Sequence, residues 1–204
     1  MLPHKLISSP SNFIVDPDRD GVANALWFAN TGTLALAGTA PDRFRFNADD
    51  GIVRTDLRYA TVAFAVNIPL TGVQTVTNLV NDIAFGLKNV SLDTLGKIDL
   101  FFDKSENTAT FRTYDDFGTV ETTAITYATA WNGVRTLFEF GWTEEGVTLY
   151  VVADGGTSRT TLAKHTTSTP SRPLNPFVTV VGAEDLDVYF IAVKNAQSSS
   201  IMLV

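Results

Sequence analysis

The residues of this chain with the sharpest chemical spacing are Asp16-Pro-Asp-Arg-Asp-Gly21. Asp16, Asp18 and Asp20 stand at alternate positions, so three carboxylates can converge on one hard cation while Gly21 allows the tight turn such a loop needs. Asn24 falls where a ninth-position ligand would sit, and calcium is the cation that this set of oxygen donors suits. The twelfth position is Trp27, so the bidentate carboxylate that would close the shell is missing. The segment reads either as a plain Asp-rich turn or as a calcium loop that another part of the fold completes.

A second kind of chemistry rests on aromatic rings. Trp131-Asn132 and Tyr114-Asp115-Asp116 each set a flat ring beside hydrogen-bonding side chains near a strand end. A sugar ring can stack on such a face while neighbouring carboxylates and amides bond its hydroxyls, which makes these five residues the candidate carbohydrate contacts. Catalytic machinery is sparse by comparison. His4 and His165 lie in an N-terminal arm and a Thr/Ser-rich segment, and the chain has no Gly-x-Ser-x-Gly elbow. It also lacks a Gly-x-Gly-x-x-Gly or a Gly-Lys-Thr/Ser phosphate loop. With no cysteine, thiol nucleophiles and thiolate-bound zinc or iron–sulfur centres are excluded. The expectation is a protein that is not an enzyme and holds no cofactor beyond a calcium ion.

The elements that would position these residues are strands. In Val134-Arg-Thr-Leu-Phe-Glu-Phe-Gly-Trp142, one side carries Val134, Thr136, Phe138, Phe140 and Trp142, the period-two pattern of a half-buried strand. Val62, Phe64, Val66 and Ile68 form a similar row, as do Ile98, Leu100 and Phe102, and Val147, Leu149 and Val151. Leu186, Val188, Phe190 and Ala192 make a last one. Turn sequences punctuate the rows at Asn30-Thr-Gly32, Ala48-Asp-Asp-Gly51, Thr143-Glu-Glu-Gly146 and Ala153-Asp-Gly-Gly156. Thr143–Gly146 is predicted to close a hairpin, and Asp103–Asn107 another. Only Thr71–Asn81 resists, with Val73, Val76, Leu79 and Val80 at a spacing that suits either a short helix or a long loop. About a dozen strands at short spacing predict an all-β, two-sheet antiparallel sandwich. No repeat or linker divides the chain, so residues 1–204 are expected to form a single jelly-roll domain with 1–24 as an N-terminal arm.

Composition narrows the partners. The chain has 204 residues, 45% hydrophobic and 18% charged, with a net charge of −7 from 15 Lys+Arg and 22 Asp+Glu. That balance disfavours nucleic acid and anionic membrane surfaces. No apolar run approaches the roughly 20 residues that span a bilayer. The first ten residues lack the apolar core of a signal peptide, so synthesis without export is expected.

Phe101-Phe102 followed by Trp142-Thr-Glu-Glu-Gly-Val-Thr-Leu-Tyr-Val-Val-Ala-Asp-Gly155 resembles the concanavalin A-like jelly-roll superfamily of lectins, laminin-G modules and glucanases. Ala60–Pro69 is similar to that superfamily's early central strand, and Pro170–Pro176 with Asp185–Lys194 to its Pro-rich connection and final strand. The resemblance covers roughly residues 40–195 and implies the fold. In many of its glucanases, one strand carries Glu, Asp and Glu at alternate inward positions, the first as nucleophile and the last as acid/base. Glu184-Asp185-Leu186-Asp187 comes nearest here but offers no second Glu on the strand, and Glu139 stands alone on its own.

The leading expectation is therefore a non-catalytic attachment module on a virion surface, such as a capsid-decoration or fibre protein made in the host cytoplasm. Its partners would be other virion proteins, met through the N-terminal arm or the apolar Ser198–Val204 end, within a homo-oligomer. Two alternatives stand beside it: a free-standing or secreted carbohydrate-binding protein, and a divergent glycoside hydrolase or polysaccharide lyase.

Overall fold

The structure is a computed structural model that describes residues 12–15, 28–30, 33–37, 43–47, 50–53, 57–68, 82–89, 92–103, 108–126, 131, 134–152, 158–181 and 185–195. These residues form fifteen strands and no α-helix. One sheet runs in the order β13 (Arg159–His165), β12 (Gly146–Val152), β11 (Thr136–Thr143), β6 (Ala60–Asn67), β15 (Asp185–Asn195), β4 (Arg43–Asn47), β3 (Thr33–Ala37), with β1 (Asn12–Val15) also on β15. The other runs β10 (Val120–Ile125), β9 (Thr108–Tyr114), β8 (Leu92–Asp103), β7 (Ile83–Asn89), β14 (Asn175–Val180), β5 (Asp50–Val53), β2 (Phe28–Asn30). Every named pairing is antiparallel.

The predicted rows supply the interior. Val62, Phe64, Val66 and Ile68 from β6 and its end meet Ile98, Leu100 and Phe102 from β8, all buried in one cluster. Aromatic contacts lace the two layers together. Phe85 on β7 lies 5.4 Å from Phe64 and 5.5 Å from Phe138, and Phe111 on β9 lies 6.3 Å from Phe140. Each such pair adds about 0.5–1.5 kcal/mol beyond the area it buries. Trp142 belongs to the same interior, and its indole N–H donates to the Pro170 carbonyl at 3.2 Å.

Local expectations are met in the hairpins and corrected in one strand. Thr143 pairs with Gly146, and Gly146 takes a positive φ of 135° in the β11–β12 turn. A Cβ at Gly146 would collide with the His165 carbonyl, so the position requires glycine. Asp103 pairs with Thr108, which makes β8 and β9 neighbours as predicted. In β15 the expected row of Leu186, Val188, Phe190 and Ala192 holds only for its first two members. A register shift between Val188 and Phe190 turns Ile191 and Val193 into the core instead. A bulge inserts one extra residue and so reverses the facing of everything beyond it. Asp50-Gly51, expected in a turn, begins β5. Residues 12–15, placed in an arm by the sequence, pair with β15. The ambiguous 71–81 segment and the 153–156 turn lie outside the described residues.

Candidate functional site

Strand alternation that fills the core also builds the opposite face of the seven-stranded sheet. Because Ile98, Leu100 and Phe102 point inward, Lys97, Asp99 and Phe101 stand together on the outer side of β8. Register sets Arg112 of β9 directly across from Asp99, and Tyr114 across from Lys97. On the other flank, Lys88 lies across from Lys97 and Gly86 across from Asp99, with Phe177 of β14 beyond Gly86. Gly86 has a structural role here: a Cβ would collide with the backbone of Ile98 and Asp99, so only glycine lets β7 approach β8.

At the centre is a fully buried carboxylate, Asp99, with no solvent exposure. Arg112 donates to it through both arms, Nε to Oδ1 at 2.8 Å and Nη2 to Oδ2 at 2.6 Å. Lys97 Nζ sits 2.9 Å from Oδ2. A forked guanidinium plus a second cation gives this buried carboxylate charged partners on both of its oxygens. Burial works against the Arg112 charge, but the hydrogen bonds and charge of Asp99 outweigh it, with Tyr114 and Asp82 adding, and lift the guanidinium above its ordinary range. Burial likewise raises the Tyr114 hydroxyl, opposed by Arg112.

Aromatic rings carry the cations. The Arg112 guanidinium lies 4.0 Å from the centroid of Phe101. Lys88 and Lys97 approach Phe177 at 5.1 and 5.3 Å, and Lys97 also reaches Tyr114 at 5.9 Å. At the far end of the face, Asp82 precedes β7 near the end of β8. Its carboxyl is held above the ordinary value by burial and then by the neighbouring charge of Asp103, with Arg112 opposing.

The carbohydrate candidates read from sequence are not all brought to this face. Tyr114 is there, half-buried. Asp115 shapes the β9–β10 turn, accepting the amides of Phe117 at 2.9 Å and Thr119 at 2.8 Å. Those bonds outweigh its slight burial and lower its carboxyl below the usual range. Asp116 accepts from the Ser171 amide and hydroxyl at 3.3 and 2.5 Å, tying the turn to the Pro-rich segment. Trp131 is only 8% exposed and meets Phe138 edge-on at 5.2 Å, so its ring serves the core. Asn132 and the calcium candidates Asp16, Asp18, Asp20 and Asn24 lie outside the described residues, as does His4. Among the described residues no three or more His, Asp or Glu gather into a group that could hold a metal ion.

Other acidic and basic candidates have structural partners. Asp187 is bound by Arg45, Nε to Oδ1 at 2.8 Å and Nη2 to Oδ2 at 3.0 Å, with Arg43 at 3.1 Å. His165 is buried, with Nδ1 and Nε2 each 2.9 Å from a hydroxyl, Thr113 and Thr123 respectively. Sequence reasoning passed over Lys97, Asp99, Arg112 and Phe177. The signal is present in Lys97-Ile-Asp-Leu-Phe-Phe102, where Ile98, Leu100 and Phe102 alternate with Lys97, Asp99 and Phe101.

No family model matches the sequence, and no curated protein matches it. Solved structures do match in shape. A Bacillus licheniformis β-glucanase superimposes with a TM-score of 0.68 at 11% identity, over 91% of this chain and 98% of the enzyme. The Crh5 transglycosylase in complex with NAG gives 0.65 at 14% identity, over 92% of this chain and 85% of that one. The calcium-bound exoplasmic/lumenal domain of VIP36 gives 0.63 at 10% identity, over 94% and 93%. The fold is the concanavalin A-like jelly roll. At these identities the likeness establishes architecture alone. The virion-surface reading is corrected by the same set: its members are a glucanase, a transglycosylase and a domain also solved with Man3GlcNAc, and they favour the carbohydrate alternatives.

Proposed function

We propose that this protein is a carbohydrate-binding module that holds a glycan on the outer face of its seven-stranded sheet without cleaving it. The observation that carries this reading is the state of Asp99. Retaining glycoside hydrolysis needs two carboxyl groups about 5–5.5 Å apart, one as nucleophile and one protonated. Asp99 is instead engaged on both oxygens by Arg112 and Lys97, and Lys97 and Phe101 occupy the flanking positions. The surrounding groups suit recognition: the half-buried rings of Phe101 and Tyr114 offer stacking faces, and Lys97, Arg112 and the Tyr114 hydroxyl offer hydrogen-bond donors.

Affinity electrophoresis of the whole chain through gels containing a β-glucan, a mannan or a polyuronate tests both halves of the proposal. Retardation in one gel, with no release of reducing ends from that polysaccharide, is the expected result. Release of reducing ends that disappears in Asp82→Asn would replace it with a hydrolytic reading centred on the Asp82 and Asp103 carboxyls.

A further inference from the structure

The two sheets end differently on the side where β10 and β13 lie. Natural edge strands are protected from pairing with other chains by charge, proline, bulges or brevity. β13 follows that rule: it carries Arg159 and Lys164, and its ladder to β12 shifts register between Leu149 and Tyr150. β10 follows none of it. Val120-Glu-Thr-Thr-Ala-Ile125 pairs with β9 in unbroken register, is the last strand of its sheet among the described residues, and contains no Lys, Arg or Pro.

Its one charge is withdrawn from the edge. Glu121 Oε2 accepts the Thr166 amide at 3.2 Å, the Thr167 amide at 3.0 Å and the Thr167 hydroxyl at 2.6 Å. These bonds overcome the cost of burial and hold its carboxyl below the usual range. Thr123 is fixed by His165 in the same way. The strand is thus held straight by its inward side chains while Val120, Thr122 and Ala124 remain exposed. The turn before it displays Phe117 at 89% exposure, pinned by Asp115.

From this edge we infer that two copies of the chain join β10 to β10, antiparallel, into one continuous sheet. The occupant is a second copy because the edge complements itself. A two-fold axis through Thr122 sets Thr122 against its own counterpart, Val120 against Ala124 and Glu121 against Thr123. Threonine pairs favour such a ladder, and no like charges face each other. In a chain of net charge −7, an edge whose one carboxylate, Glu121, is turned onto the Thr166 and Thr167 amides is also where two copies can approach with little repulsion. The joined sheet would present two copies of the Lys97–Arg112–Tyr114 face side by side, and multivalent glycans would then be bound with avidity. The pairing itself does not depend on glycan binding.

Sedimentation equilibrium of the full chain tests it. The wild type is expected at twice its 22.1 kDa mass, and the Thr122→Lys, Ala124→Lys double variant at the single mass with an unchanged far-ultraviolet circular dichroism spectrum. Because the chain has no cysteine, Thr122→Cys adds a clean probe that should form a covalent dimer on mild oxidation. A wild type that stays monomeric at every concentration would overturn the inference. So would a folded lysine variant that still dimerises, or a Thr122→Cys chain that forms no disulfide-linked pair.

Discussion

Each sheet buries carboxylates on its outer face, and two of them, Asp99 and Glu139, are treated differently. Asp99 on β8 receives both arms of Arg112 and the ammonium of Lys97. Glu139 on β11 is 5% exposed and is paired, among the described residues, with Arg159 at 3.0 Å, whose own side chain is 43% exposed. Burial raises the Glu139 carboxyl above its ordinary value, with Arg159 and then Lys194 opposing. Lys194 on β15 is 8% exposed, and its Nζ has no hydrogen-bond partner among the described residues. Burial alone therefore does not decide what a carboxylate can do. The number and geometry of its cations do, and they make Asp99 a fixed anchor and Glu139 a group that can take up a proton.

Breaking the anchor should have the largest effect. Arg112→Ala leaves Asp99 buried beside Lys97 alone, a loss of about 3–5 kcal/mol seen as an earlier urea midpoint. A change below about 1 kcal/mol would mean that Lys97 suffices and that the two sites differ less than their geometry indicates.

The weaker site should respond in the opposite direction. Lys194→Met removes a buried ammonium that lacks a hydrogen bond and is expected to raise the thermal midpoint at neutral pH. Glu139 adds a pH signature. Its folded carboxyl holds a proton more tightly than the unfolded one, so its contribution is full below about pH 4.5, the ordinary glutamate value, and declines as the pH rises through its folded pKa. Glu139→Gln should remove that decline, measured as stability against pH from 4 upward; a slope identical to wild type would contradict it.

His165 extends the comparison to a base and gives the smallest expected effect. Burial holds its pKa below the ordinary value, with Glu121 opposing. The unfolded chain takes the proton more readily, so the His165 contribution is full above about pH 6.5 and is lost as the pH falls through that range. The neighbouring β10, whose Thr123 bonds His165, should show this as lower hydrogen-exchange protection, relative to the intrinsic rate at each pH, at pH 5 than at pH 7. Equal protection at both would show that the two threonine hydroxyls accommodate the charged ring.

Most of the fold was legible because hydrophobic alternation is a local property: the rows of β6, β8 and β12 run from sequence to core, as does that of β11 from Thr136 onward, while Val134 before it stays exposed. What interrupted them was not local. The bulge in β15 depends on how β6 and β4 pair with it, and Leu186–Ala192 gives no hint of the shift. The outer face was less legible for a related reason. Lys97, Asp99 and Arg112 are ordinary strand residues until register sets them opposite one another. Trp131 illustrates the converse. A Trp-Asn-Gly sequence suggests an exposed loop, yet the ring finds Phe138 and turns inward.

Isothermal titration of the polysaccharide that retards the wild type, carried out on the wild type and on Tyr114→Ala, addresses the glycan-binding face most directly. Tyr114 contributes a ring and a hydroxyl at the edge of that face without touching the Asp99 anchor through a hydrogen bond. The account predicts saturable binding by the wild type and at least a tenfold weaker affinity in the variant, about 1.4 kcal/mol. Equal affinity in the two proteins, or no binding to any polysaccharide, would contradict it.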